Sequence, residues 1–125
     1  MSGGTDAAAD LTARTRYYYE RVDAGDVAAV LDWFAEDAVY HRPGYPPMLG
    51  REALRRFYGG ERVIESGAHH LDELVVQDRR VAVRGRFVGR LRDGSAVEVG
   101  FADFLAYDAD GRVRERRSFF DVPAV

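Results

Sequence analysis

The sequence predicts an α+β domain in which three helices precede a mostly antiparallel β-sheet. Two observations carry that expectation. Between Leu11 and Tyr58, apolar residues recur at helical spacing in three separate stretches. From Ala68 onward the pattern changes to long strand-like runs, divided by turn signals at Asp78, at Asp93-Gly94 and from Asp108 to Gly111. Helices followed by an antiparallel meander make an α+β arrangement. A chain of 125 residues suits one domain with one core. Residues 6–125 are expected to form that domain, and residues 1–5, which offer no apolar face, a disordered lead-in.

The first helix is read from about Asp6 to Asp23, where Leu11, Thr15, Tyr18 and Val22 share one stripe and Arg14, Arg16 and Arg21 lie nearer water. It stops at Ala24-Gly25. Asp26 is placed to cap a second helix, whose Val27, Val30, Leu31 and Phe34 follow the i, i+3, i+4, i+7 rule. A short strand through Val39 and His41 follows, then a turn from Pro43 to Pro47. A third helix, Glu52 to Tyr58, turns Leu54, Phe57 and Tyr58 inward; Gly59-Gly60 breaks it, and Glu61 to Glu65 is expected to resume helix for a turn. The strands are HHLDELVVQ, RVAVRGRFVGRLR, SAVEVGFADFLAY and GRVRERRSFFDV.

One hairpin decides where the arginines go. Taken alone, the strand from Arg80 sends Val81, Val83, Phe87 and Leu91 inward and its arginines to water. A two-residue Asp93-Gly94 turn would instead set Arg90 opposite Val97, Arg86 opposite Phe101 and Arg84 opposite Asp103, whereas a three-residue loop ending at Ser95 shifts the register by one and turns the arginines out. Spacing alone leaves both open; the family resemblance carried by the segment from Trp33 to Tyr58 extends across this hairpin without a gap and implies the two-residue register. In it Val81, Val83, Phe87 and Leu91, with Gly100 and Ala102, become an apolar outer sheet face, which wants a partner; a homodimer through that face is the natural one.

Composition narrows the function classes. A net charge of −3 argues against binding a phosphate backbone, and neither nucleic acid nor membrane is an expected partner. With no cysteine there is no disulfide framework, thiolate nucleophile or Cys-based zinc site, so a reducing, cytoplasmic setting is expected. MSGGTDAAAD has neither the basic region nor the apolar run of a secretory signal. All 18 basic residues are arginine. A GC-rich genome accounts for that, as does the tolerance of the planar guanidinium for partial burial; either way Schiff-base chemistry is excluded. His69 and His70 fall on opposite faces of a strand, His41 points away from Arg42, and no HxH or HxxxH spacing occurs, so no metal or other cofactor is expected.

The segment from Trp33 to Tyr58 carries a family resemblance. FAED, followed by an aromatic, a polar pair, a Pro-rich turn and GREAL, resembles limonene epoxide hydrolases; RVDAGDVAAVLDWFAEDAV resembles ketosteroid isomerases. Both belong to the nuclear-transport-factor-2-like superfamily, which includes the SnoaL-like polyketide cyclases. The resemblance runs from about residue 14 to 121 and implies helices packed on a curved sheet that forms a cone-shaped pocket. It further implies cofactor-independent isomerase, cyclase or hydrolase chemistry on a small oxygenated or polycyclic metabolite.

By that resemblance Tyr18 matches the isomerases' oxyanion tyrosine and Asp103 their strand acid, while Arg42 stands where their base should be. A guanidinium with a pKa above about 12 cannot take a proton at neutral pH. Against the epoxide hydrolases, Arg84 matches the bridging arginine and Tyr40 the water-orienting tyrosine, but Arg86 and Ser118 replace the carboxylates. The site expected is therefore Tyr18, Tyr40 and Asp103 as catalytic groups, with Arg42, Arg84, Arg86, Phe101, Arg116, Ser118 and Phe120 as ligand-binding ones. Its arginine excess suits an anionic or enolisable ligand. Asp103 is either ionised beside Arg84 or protonated by apolar burial. The same residues serve an enzyme whose base is Asp103 or a histidine, a non-catalytic domain holding an anionic ligand, or a vestigial cavity closed by an Arg84–Asp103 pair.

Overall fold

The structure, a computed structural model, describes residues 3–123 and residue 125. Helix α1 is Gly3–Asp23, α2 Val27–Trp33 and α3 Gly50–Arg56. The strands are β1 Phe34–His41, β2 Met48–Leu49, β3 Ile64–Gln77, β4 Arg80–Leu91, β5 Ala96–Tyr107 and β6 Val113–Phe120. They form one open six-stranded sheet in the order β2-β1-β6-β5-β4-β3. Only β1 and β6 run parallel; every other neighbouring pair is antiparallel. The three helices pack on one face of this sheet, and Leu11, Tyr18, Val22, Val30, Leu31, Leu54 and Phe57 meet the buried strand residues in the core.

Local signals act where the sequence placed them. Asp26 caps α2 by accepting the amide of Ala29 at 3.1 Å. The aromatic residues of α1 and α2 lock together, with Tyr18 stacked on Trp33 at 4.2 Å between ring centres. Gly3 to Thr5, part of the expected lead-in, form the start of α1, continuous with the strongly helix-favouring Ala7–Ala9; Met1 and Ser2 lie outside the described residues. The expected helical turn from Glu61 to Glu65 is a correction. Phe57–Glu61 is a wide π turn, after which β-branched Val63 and Ile64 join the sheet: the Val63 carbonyl accepts Arg92 N–H at 2.9 Å, and Ile64 pairs with Leu91.

The larger correction is the β4–β5 register. Val83 faces Asp103, Gly85 faces Phe101 and Phe87 faces Val99, one residue away from the expected pairing. The cause is local. The Asp93 carboxylate accepts both the amide of Ser95 at 2.9 Å and its hydroxyl at 2.6 Å, and Gly94 takes φ +89°, which closes a three-residue loop over Arg92–Gly94.

Two expectations fall with that register. Arg84 and Arg86 leave the pocket for the outer face, where Arg84 meets Glu73 at 3.2 Å and Asp72 at 3.9 Å, and Arg86 meets Glu98 at 3.1 Å. No Arg84–Asp103 pair closes the cavity. Conversely Val81, Val83 and Phe87 are buried under the helices, so they are not the outer apolar row. That face instead exposes Val75, Val88, Phe104 and Phe119, with the last two rings in edge contact at 5.8 Å.

Candidate active site

Between the helices and the concave sheet face lies a cavity of about 20 Å³, room for about one water. Its wall includes Tyr18, Tyr58, His69, Asp103, Arg116, Arg42 and Phe120. Alternation along β5 and β6 puts Phe101 and Asp103, and Arg116, Ser118 and Phe120, on this side. Directly opposed pairs, Asp103 with Ser118 and Phe101 with Phe120, then share one face. Of the expected site residues the structure gathers Tyr18, Tyr40, Arg42, Phe101, Asp103, Arg116, Ser118 and Phe120, and excludes only Arg84 and Arg86.

Asp103 and Arg116 are the centre of the network. Arg116 Nη2 donates to Asp103 Oδ2 at 2.8 Å, and both side chains are almost wholly buried. Tyr19 donates to the same carboxylate oxygen and Ser118 to the other. Burial pushes the Asp103 carboxyl up, but the Arg116 charge and the hydrogen bonds of Ser118, Tyr19 and Arg116 together hold it below the usual carboxylate range. Asp103 is thus the ionised alternative, with Arg116 rather than Arg84 as counter-ion. Three of its four lone-pair sites are occupied by these donors, which, with its lowered pKa, makes it a poor base toward a ligand.

Arg116 also donates from Nη1 to Tyr18 and, at 2.8 Å, to Tyr58; the two phenols meet each other at 2.6 Å. Burial pushes both phenols above their ordinary value, so both are neutral hydroxyls backed by a guanidinium; one proton lies in the bond between them, which leaves one O–H for the cavity. That is the donor arrangement a developing oxyanion needs. Tyr40 is completely buried behind the wall: it bonds Ser118 Oγ at 2.8 Å and accepts Arg42 Nη1 at 2.9 Å. It therefore positions groups that face the cavity and does not line it itself.

A pair that the sequence left unassigned completes the site. His69 Nδ1 lies 2.6 Å from one carboxylate oxygen of Asp23, and the other accepts the His69 amide at 2.8 Å. The ring packs between Tyr19, Phe87 and Phe101 and forms part of the cavity wall. With Nδ1–H directed at Asp23, Nε2 is left as the acceptor atom of the ring, and no hydrogen bond to it occurs among the described residues. Asp23 ends α1 one turn beyond Tyr19, so a single helix supplies the tyrosine that fixes Asp103 and the carboxylate that fixes His69. Alternation on β3 separates His69 from His70 but gives no sign of Asp23. Tyr58 was legible only as a core residue and Tyr19 not at all.

Helices on one face of an open, curved sheet, with a polar cavity between them, define an α+β cone of the nuclear-transport-factor-2-like kind. The family model of the SnoaL-like domain matches residues 15–116, and the chain belongs to that family. It is 30% identical over 116 residues to a steroid Δ-isomerase of Nocardioides simplex, covering 90% of both chains. Among solved structures it resembles SalBIII, an epoxide hydrolase/cyclase-like enzyme of pyran ring formation in the polyether salinomycin, with a TM-score of 0.79 at 20% identity over 90% of this chain and 91% of that one. A nuclear-transport-factor-2-like protein of unknown function from Burkholderia pseudomallei superposes with a TM-score of 0.81 at 19% identity, over 90% and 91% of the two chains. At these identities the structural likenesses establish the fold.

Proposed function

We propose that this chain is a cofactor-independent acid–base enzyme of the isomerase or cyclase type, acting on a small oxygenated or polycyclic metabolite. The observation that carries this reading is the Asp23-oriented His69, on the same cavity wall as the Tyr18, Tyr58 and Arg116 donors. In the proposed reaction His69 Nε2 removes a proton from a carbon next to a carbonyl. The electron pair moves onto the carbonyl oxygen, where the one free hydroxyl proton of the Tyr18–Tyr58 pair, backed by Arg116, holds the enolate. Return of the proton from His69 to a more distant carbon gives isomerisation; attack of the enolate carbon on a second carbonyl closes a ring, with the proton delivered to the new alkoxide. Tyr40, Ser118 and Asp103 keep the donors in place.

His69 thus supplies the base that Arg42 cannot. The similarity to a steroid isomerase supports proton transfer without naming a steroid as the substrate. A second reading, a binding domain without turnover, draws on the ion-paired, triply hydrogen-bonded Asp103 and the small cavity. One assay separates the two: isomerisation of a β,γ-unsaturated ketosteroid, run beside deuterium exchange from heavy water into a panel of cyclic ketones and lactones. Wild type should catalyse exchange, and His69→Gln should lower it by about a hundredfold or more, the usual worth of a general base. No exchange above background across the panel would leave the binding-domain reading, and catalysed exchange untouched in His69→Gln would rule out His69 as the base.

The proposal extends to assembly and setting: a homodimer through the outer sheet face, centred on Phe104 and Phe119, in the cytoplasm. The paired exposed rings support the interface. Among the described residues no helix is long and apolar enough to cross a membrane.

A further inference from the structure

Arg42 is a buried cation with no carboxylate to answer it. Its side chain is only 7% exposed, and among the described residues it forms no ion pair. Asp103 and Arg116, on the same wall, neutralise each other, and Asp103 already accepts three hydrogen bonds. The Arg42 guanidinium is held by rings: its carbon lies 4.9 Å from the centre of Phe120, 5.2 Å from Phe57 and 5.9 Å from Tyr45. Nη1 is spent on Tyr40 at 2.9 Å. Nε is buried without a partner, and no protein hydrogen bond is made by Nη2. Those two nitrogens share one edge of the guanidinium, the edge that receives a carboxylate through two parallel hydrogen bonds.

We infer that the substrate carries a carboxylate or a similarly planar oxyanion on an aromatic or polycyclic frame, and that Arg42 receives it on the Nε–Nη2 edge. This rests on the reading that the cavity is the substrate site, and it names the substrate class. Desolvating a lone guanidinium is unfavourable unless something compensates it. The surrounding rings and the Tyr40 hydroxyl do so in part, and a bound oxyanion would complete the compensation while the apolar wall of Phe87, Phe101 and Phe120 takes the frame. Arg62, whose guanidinium carbon lies 5.7 Å from the Tyr58 ring centre, adds a second positive charge to the same wall. The small volume also implies that a ligand enters by displacing something. Val125 is partly buried against the core and is one of the apolar side chains of that wall.

The experiment is calorimetric titration of the full chain with benzoate, 2-naphthoate and anthracene-2-carboxylate, each paired with its uncharged carboxamide. At least one carboxylate should bind wild type about tenfold or more tightly than its amide. That preference should shrink to about twofold or less in both Arg42→Met, which keeps the apolar stem, and Arg42→Gln, which keeps a donor without the charge. His69→Gln should retain the preference even where turnover is lost, so failure of the proposed chemistry and failure of the anion site are told apart. The inference is overturned if no carboxylate is preferred over its amide by wild type, a result that needs no variant to fold, or if the preference survives both Arg42 substitutions.

Discussion

Removing either member of the Arg116–Asp103 pair should cost far more than removing both. Arg116 is 4% exposed and Asp103 1%, and the pair is direct at 2.8 Å. Arg116→Met strands a buried carboxylate, and Asp103→Leu strands a buried guanidinium; breaking a buried pair from one side costs about 3–5 kcal/mol. Against a total stability of about 5–15 kcal/mol, either single variant sits near the edge of unfolding. The double variant Arg116→Met/Asp103→Leu leaves no uncompensated charge. It leaves Tyr19 without its acceptor, at about 1–3 kcal/mol, whereas Ser118 keeps Tyr40 at 2.8 Å and Tyr18 keeps Tyr58 at 2.6 Å. The double should therefore be more stable than the sum of the singles by about 3 kcal/mol or more. Urea denaturation of the four proteins at neutral pH measures this. Singles costing under about 1 kcal/mol, or additivity within about 0.5 kcal/mol, would refute the account of this pair as the electrostatic centre of the site.

The same pair sets an acid limit. The folded-state pKa of Asp103 is lowered, so its contribution is full at neutral pH and is lost as pH falls from the ordinary carboxylate value of about 3.9 through the lower folded value; wild type should lose stability over that window with a steeper slope than the double variant. Replacing both Arg84 and Arg86 by alanine should change stability by no more than about 1 kcal/mol and leave carboxylate binding untouched, because their ion pairs are exposed; a loss of ligand affinity would return these arginines to the pocket. Phe104→Arg should convert a dimer to a monomer in sedimentation at micromolar concentration. A wild-type monomer, or a dimer indifferent to the change, would rule out the Phe104–Phe119 face as the interface. Asp23→Asn should lower kcat in the exchange assay more than it raises KM, since it disturbs the orientation of His69 without touching the ligand; unchanged kcat would mean that Asp23 is only a structural partner.

What the sequence determined by itself was the periodicity within single elements and their order: the helical stripes of α1 and α2, the Asp26 cap, helices before strands, and the polar residues interrupting apolar strands at Arg42, Asp103, Arg116 and Ser118. Those signals rest on spacing within one element, which the chain displays without being folded. The β4–β5 register was decided instead by the Asp93 carboxylate reaching two donors on Ser95, and a slip of one residue exchanges the faces of a strand. Alternation alone pairs Val83 with Phe87 as neighbours on a face and sets Arg84 and Arg86 on the other, but it does not say which face the helices cover. His69 and Asp23 are 46 residues apart and belong to a strand and a helix end that meet only when α1 lies across β3. The proposed base is therefore a product of packing: neither residue carries a sequence signal of its partner, and only the folded chain brings the carboxylate to the ring.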